Sequence, residues 1–393
     1  MCYNFDLEIT RKGTRCTKWD NLAMRVSNPD ALPMWVADCD FACPAPVTQA
    51  VQKRAAHPIY GYAFVPPEFG AVTAGWLRRQ HNFSCAPESI LFSPGVVPAL
   101  SLAVQTFTQP GDEVLIQTPV YHPFRNVVRA VGRTPNANPL LFDGERYSID
   151  FADLERRAAS PRVKIMLLCS PHNPVGRVWT AEELSEVARI CADNGVILVS
   201  DEIHADIVYS GHVHTVAAAA SPETAKNMIL CHAPSKTFNI AGLEASSVVV
   251  SDPSLRESLR NALDGAHINV PNVFAMEAYL AAYTQCDDYL EQMLPYLWDN
   301  IRYVDEALKK HMPRIHLVKP EGTYLLWLDG RELGISDQEV IDFFVNDCAI
   351  AVNPGSLFGP EGACFVRLNI ACPRTTVKRA IEQMQAAYIK RGF

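Results

Sequence analysis

Lys236 stands in the stretch "CHAPSKTFNIAGLEASS", residues 231–247, a small polar loop between two apolar runs. An ammonium is strongly hydrated, so a lysine between buried strands needs a chemical reason to be there. The other residues able to do chemistry collect in the same kind of place, directly after a short apolar run. "SILF" leads into "SPGVV", "EVLIQ" into "TPVYHPF", "KIMLLC" into "SPHNPVG", "VILVS" into "DEIHAD", and "MILCHA" into "PSKTFN". These ends offer a helix start at Val96 and Val97, an aromatic ring at Tyr121 and an amide at Asn173. They also offer a carboxylate at Asp201, an imidazole at His204 and the amine of Lys236. Most of these are ordinary when taken singly, since Pro-Val-Tyr and Asn-Pro-Val-Gly are common turn chemistry. Asp201 is harder to dismiss, because a carboxylate that ends a hydrophobic strand requires a cationic partner.

The elements that must carry these residues alternate between residues 89 and 250. Continuous apolar runs, expected as strands, are followed by helical patterns such as "GVVPALSLAVQTF", "PFRNVVRAV" and "TAEELSEVARICADNG". In the last of these, Thr180 and Glu183 form a capping box and Gly195 closes the helix. The alternation predicts an α/β fold with a mostly parallel sheet covered by helices on both faces. Beyond residue 290 a long helical stretch leads into "TYLLWLD", a helix near "SDQEVIDFFVND" and the strand-like "CFVRLNI", which together read as a smaller α+β module. The turn-rich first forty residues are expected to pack against it. The predicted division is a large domain over residues 45–285 and a small domain made of 1–44 together with 286–393.

Ligands of open parallel sheets bind beyond the carboxyl ends of the strands. The five ends together specify a flat ring with a basic nitrogen, a phosphate, and a carbonyl for a lysine to attack. That ligand is pyridoxal 5′-phosphate (PLP). Lys236 would be the amine that condenses with it, and would then act as general base. Asp201 would keep the ring nitrogen protonated, so that the ring accepts electrons from the substrate α-carbon. Asn173 would donate to the phenolate oxygen, and Tyr121 would stack on the ring. The backbone amides of Val96 and Val97 would hold the phosphate at a helix start, with Ser235 adding a hydroxyl.

Composition excludes other classes. The 393 residues carry a formal charge of −8 and no run of five like charges, so neither a nucleic-acid groove nor a membrane-surface helix is indicated. The 12 cysteines form no C-x-x-C pair and no metal pattern, and read as reduced thiols packed as small hydrophobes. No metal site is expected. No signal core opens the chain and no apolar run is long enough to span a bilayer, so the expectation is a soluble, cytoplasmic protein.

The quoted motifs resemble fold-type-I PLP enzymes of the class I/II aminotransferase superfamily and, more closely, the MalY/PatB-type cystathionine β-lyases (C–S lyases). "RKGTRCTKWD", "LPMWVADCDF", "IYGYAF", "SPHNPVGRVWT", "SDEIHADIVY", "SKTFNIAGL" and "FVRLNIACPR" carry the narrower match in family order, from residue 11 to 374. The resemblance implies the PLP-dependent transferase fold, with a mostly parallel seven-stranded sheet in the large domain. It implies that His204 contacts the phenolate oxygen and that Arg367 grips the substrate α-carboxylate. It also implies that Tyr62, with Tyr60 a weaker candidate, reaches the phosphate region of a partner subunit, hence a homodimer with shared sites. Two positions depart from related patterns. Glu244 stands where Lys-x5-Gly-x-Arg would place a phosphate-binding arginine, and His122 stands where some C–S lyases carry a second tyrosine near the leaving group.

The activity implied is α,β-elimination from cystathionine or a related cysteine S-conjugate, giving a thiol, pyruvate and ammonia. An aminotransferase would use the same residues around the cofactor, and a regulatory protein that retains PLP is a third reading. Pyruvate release without an added keto acid separates the first two.

Overall fold

Strands form where the apolar runs are continuous, and helices where the apolar spacing lengthens to three and four. The computed structural model describes residues 2–393. Its central sheet has seven strands: β1 (Ile90–Ser93), β2 (Glu113–Thr118), β3 (Thr134–Pro139), β4 (Val163–Cys169), β5 (Ile197–Asp201), β6 (Met228–His232) and β7 (Ser246–Val249). They lie in the order β1-β7-β6-β5-β4-β2-β3. All neighbours run parallel except β7, which is antiparallel to both β1 and β6. Alternate residues of one strand enter different apolar clusters. Met166 and Leu168 of β4 face one, Ile165 and Leu167 the other. Both faces are therefore covered, which is why these runs are unbroken by polar residues.

Strand β3 was not foreseen. Its sequence, "TPNANP", holds two prolines and two asparagines, all poor strand formers. It survives because it is one of the two edge strands, where proline's missing N–H leaves no interior ladder bond unmade.

Helix α1 (Val96–Phe107) follows β1, α2 (Pro123–Ala130) follows β2, and α3 (Ala181–Asp193) connects β4 to β5. Thr180 and Glu183 do close a capping box on α3, and Gly195 at φ +66° ends the turn beyond it. The long helix α4 (Asp287–His311) continues through Pro295. A second sheet follows, with β8 (His316–Val318), β9 (Leu325–Asp329), β10 (Asn353–Pro354) and β11 (Phe365–Asn369) in the order β8-β9-β11-β10. The expected helix near residue 340 is α-helical only over Asp337–Asp342 and gives way to a π-helical turn, Phe343–Asp347. Helix α5 (Arg374–Arg391) ends the chain.

The first forty residues make contacts with the C-terminal part of the chain. The Tyr3 hydroxyl donates to Asp288 of α4 at 3.1 Å, and Leu32 pairs with Ile350 in a short parallel bridge. Apolar residues of the second sheet, Leu325 and Trp327 among them, belong to the same continuous cluster as one face of the large sheet. Gly176, at φ +74°, fixes another contact between the two sheets. A Cβ there would stand 2.9 Å from Pro320, and the Gly176 carbonyl accepts from the amides of Glu321 and Gly322. Among the described residues no helix is long and apolar enough to cross a membrane.

Candidate active site

A cavity of about 180 Å³ lies beyond the carboxyl ends of β4, β5 and β6, at the start of α1. Lys236, Asp201, Asn173, Tyr121, His204, Ser235, Val96 and Val97 all line it. Residues between 96 and 236 in sequence thus converge on one space, as the strand-end reading predicts.

Register explains the state of Asp201. It lies directly beside Cys169 of β4 and Cys231 of β6, so its neighbours across the sheet bring no charge. The side chain is almost wholly buried, and Oδ1 accepts from the Ile203 amide at 3.1 Å. Burial lifts the carboxyl to about 7, against the pull of that hydrogen bond and of Lys236. A cation placed against it would restore the carboxylate.

Lys236 is half-buried and lines the cavity. Burial lowers its pKa, only partly offset by Asp38, and Arg367 lowers it further. Its Nζ donates to the backbone carbonyl of Ala37 at 2.7 Å, a neutral acceptor. The loop that carries it is pinned on both sides. Thr237 donates to Asp206 at 2.6 Å, and the Asn239 side chain bonds the backbone of Cys39 and Phe41.

Arg367, on β11, approaches from the second sheet and bonds Asn173 of the cavity wall. Its Nη1 donates to Asn173 Oδ1 at 2.9 Å, and its Nη2 to Asn353 Oδ1 at 2.7 Å and the Trp35 carbonyl at 3.0 Å. Its Nε is buried without a partner, and burial lowers its pKa to about 10. Because the guanidinium can only donate, it orients the Asn173 amide and leaves the Nδ2 donor for a ligand.

His204 is buried with Nδ1 unpaired, and burial together with Lys236 and Arg367 lowers its pKa to about 3. Its ring packs edge-on to Tyr324 at 5.9 Å. His122 packs against Tyr121 with ring centroids 5.1 Å apart. Its Nδ1 is also unpaired, and burial with Arg367 and Arg125 lowers its pKa to about 4. Both imidazoles are neutral at pH 7. Glu244 stands on the cavity rim in the left-handed region at φ +54°.

Tyr62 lies apart from this cluster. It is fully exposed, in an exposed apolar run with Ile59, Tyr60 and Phe64. Sequence reasoning also missed three contributors: the Ala37 carbonyl, Tyr324, which donates to that carbonyl at 3.2 Å, and Asn353. The motif "LPMWVADCDF" signalled the first of these, but a backbone carbonyl leaves no trace in residue type.

The donor set suits a flat ring with a cationic nitrogen and an anionic end. Asp201 lacks a cation, His204 Nδ1 has no partner, Asn173 is bonded through its Oδ1, and the start of α1 faces the same space. A carboxylate at residue 244 offers nothing to a phosphate, which leaves the amides of Val96 and Val97 and the Ser235 hydroxyl for that end.

Comparison with known proteins agrees with this geometry. The family model "Aminotransferase class I and II" matches residues 34–384. Cystathionine beta-lyase PatB of Bacillus subtilis (strain 168) is 41% identical over 384 residues, covering 98% of this chain and 99% of that protein. Protein MalY of Escherichia coli (strain K12) is 34% identical over 381 residues, 96% of this chain and 97% of that one. The crystal structure of cystalysin from Treponema denticola, which contains a pyridoxal 5′-phosphate cofactor, superposes with a TM-score of 0.96 at 32% identity, covering all of both chains. With a shared fold, near-complete coverage and strand-end residues gathered in one cavity, the chain belongs to the aminotransferase class I and II family, alongside PatB and MalY.

Proposed function

We propose that the protein is a PLP-dependent carbon–sulfur lyase of the cystathionine β-lyase type. It would cleave the Cβ–S bond of L-cystathionine or a related cysteine S-conjugate, giving a thiol, pyruvate and ammonia. The observation that carries the reading is the convergence of an amine and an uncompensated carboxyl on one cavity, with an arginine bonded to Asn173 of its wall, in a chain 41% identical to a cystathionine beta-lyase.

When bound, the cofactor supplies an electron sink for the substrate α-carbon. Asp201 would hold its ring nitrogen, Asn173 and His204 its phenolate oxygen, Tyr121 its face, and Val96, Val97 and Ser235 its phosphate. Arg367 seats the substrate α-carboxylate in its planar fork, which fixes the Cα–H bond toward Lys236. Lys236, its pKa lowered by burial, is the base that takes the α-proton. His122, neutral at pH 7, meets the departing sulfur as a hydrogen-bonding group rather than as a cationic acid.

The exposed run Ile59–Phe64 supports a homodimer in which Tyr62 enters the partner's cavity and a second copy covers these apolar side chains. We further propose that residues 45–285 and 1–44 with 286–393 act as the large and small domains, with Arg367 on the small one. Light scattering should give twice 43.5 kDa; a monomer in solution would remove the shared-site arrangement.

The deciding assay mixes purified, PLP-loaded protein with L-cystathionine and no keto acid. Pyruvate and homocysteine should appear in equal amounts. Transamination, which the family model's name favours as a second reading, would instead require a keto acid and yield no pyruvate from this substrate.

A further inference from the structure

The segment Trp35–Phe41 passes between Lys236 and Arg367 and touches both through backbone carbonyls. The Ala37 carbonyl accepts from Lys236 Nζ at 2.7 Å and from the Tyr324 hydroxyl at 3.2 Å. The Trp35 carbonyl accepts from Arg367 Nη2 at 3.0 Å. The Asn369 side chain, two residues along β11 from Arg367, donates to the carbonyls of Val36 at 2.5 Å and Asp38 at 2.7 Å. Asn239, three residues after Lys236, bonds the backbone of Cys39 and Phe41. A short stretch of backbone is thus tied at once to the loop bearing the reactive amine and to the strand bearing the carboxylate fork.

Something must hold that stretch in place, and the same stretch carries the handles. Asp38 and Asp40 alternate with Ala37 and Cys39. Lys18, 1% exposed, sits 2.7 Å from Asp40 and 3.7 Å from Asp38. Arg11 completes the cluster, with Nη2 2.6 Å from Asp38 and Nη1 2.7 Å from Asp40, and Nη1 also donates to the Cys39 carbonyl at 3.1 Å. The Trp35 indole returns a bond to the Lys18 carbonyl at 3.1 Å. Two cations and two anions, all from the first forty residues, close on one another. Replacing such a group by apolar packing is often no less stable, so stability alone does not account for a buried ion cluster.

We propose that Arg11, Lys18, Asp38 and Asp40 form a charge clip whose role is to set the Ala37 and Trp35 carbonyls, and through them the working positions of Lys236 and Arg367. These four are positioning residues: none needs to touch substrate. The inference rests on the roles given above to Lys236 and Arg367, and it accounts for the motifs "RKGTRCTKWD" and "LPMWVADCDF", which no cofactor contact explains.

The test compares native protein with Lys18→Met, Arg11→Gln and Arg11→Lys, all as full-length PLP-loaded protein. Two readouts are taken: KM and kcat for L-cystathionine, and the dissociation constant for glycine, which carries the α-carboxylate but no leaving group, from spectral titration. Small misplacements of catalytic groups are costly, so kcat/KM should fall roughly 10- to 100-fold in Lys18→Met and Arg11→Gln. Glycine binding should weaken about tenfold as the fork loosens, and Arg11→Lys, which keeps the charge, should recover to within about threefold of native. If Lys18→Met is insoluble, the partly exposed Arg11 position decides alone. Variants that melt earlier yet keep KM, kcat and glycine affinity within about twofold of native would overturn the proposal, as would an Arg11→Lys protein no better than Arg11→Gln. Native protein that binds glycine but releases no pyruvate would sink the lyase reading and leave this comparison standing.

Discussion

Lys18 is buried and Lys236 half-buried at the cavity, and the chain treats the two amines in opposite ways. Around Lys18, burial alone would discharge the amine, but Asp40 and Asp38 outweigh it and its pKa rises. Around Lys236 the hydrogen-bond partner is a neutral carbonyl, Arg367 adds repulsion, and the pKa falls. The acids follow the same division. Burial pushes Asp40 upward, yet Lys18 and Arg11 bring it below the usual range, while Asp201 between two cysteines rises to about 7. Where charges are matched within the chain the cluster holds backbone. Where they are left unmatched, the site awaits a partner from outside.

The sharpest way to break this comparison is at Lys236. Lys236→Ala should lose about 10⁴-fold or more in pyruvate formation while keeping its unfolding midpoint, because it removes both the attacking amine and the base. Turnover within tenfold of native would remove Lys236 from the chemistry.

Lys18→Met should do the reverse in stability. Removing one partner of a buried ion cluster leaves Asp40 under-compensated, at a cost of about 3 kcal/mol, read as a lower midpoint of urea unfolding. An unchanged midpoint would mean that Arg11 alone satisfies both acids.

Asp201→Asn sharpens the contrast from the acid side. An amide cannot hold a cationic ring nitrogen, so kcat should fall roughly 10²- to 10³-fold, with little loss of stability, since a carboxyl lifted to about 7 is already poorly accommodated. Near-native turnover would show that another group serves the nitrogen.

Much of this division is legible in the sequence. Lys236, Asp201, Asn173 and Tyr121 were marked by where they fall, each following an apolar run, and a parallel sheet has one edge at which all such ends emerge. Lys18, by contrast, carries no such mark. Lys18 in "TRCTKWD" reads as an ordinary exposed lysine near the start of the chain, and nothing local reveals that it is buried. His122 and His204 were named as contacts, but their neutrality comes from burial and from Arg367, which arrives from β11. Strand β3 was invisible because its prolines are tolerated only at a sheet edge, and position in a sheet is not a local property.

Local sequence determined the elements: continuous apolar runs made strands buried on both faces, the Thr180–Glu183 box opened a helix, and the reactive residue types were placed at strand ends. Tertiary structure alone decided which charges would be matched. Lys236 and Ala37 lie 199 residues apart, and Arg367 and Asn173 194 apart. A lysine's pKa depends on what stands within a few ångströms of its nitrogen, and a chain's own order does not specify those neighbours until its sheets have packed.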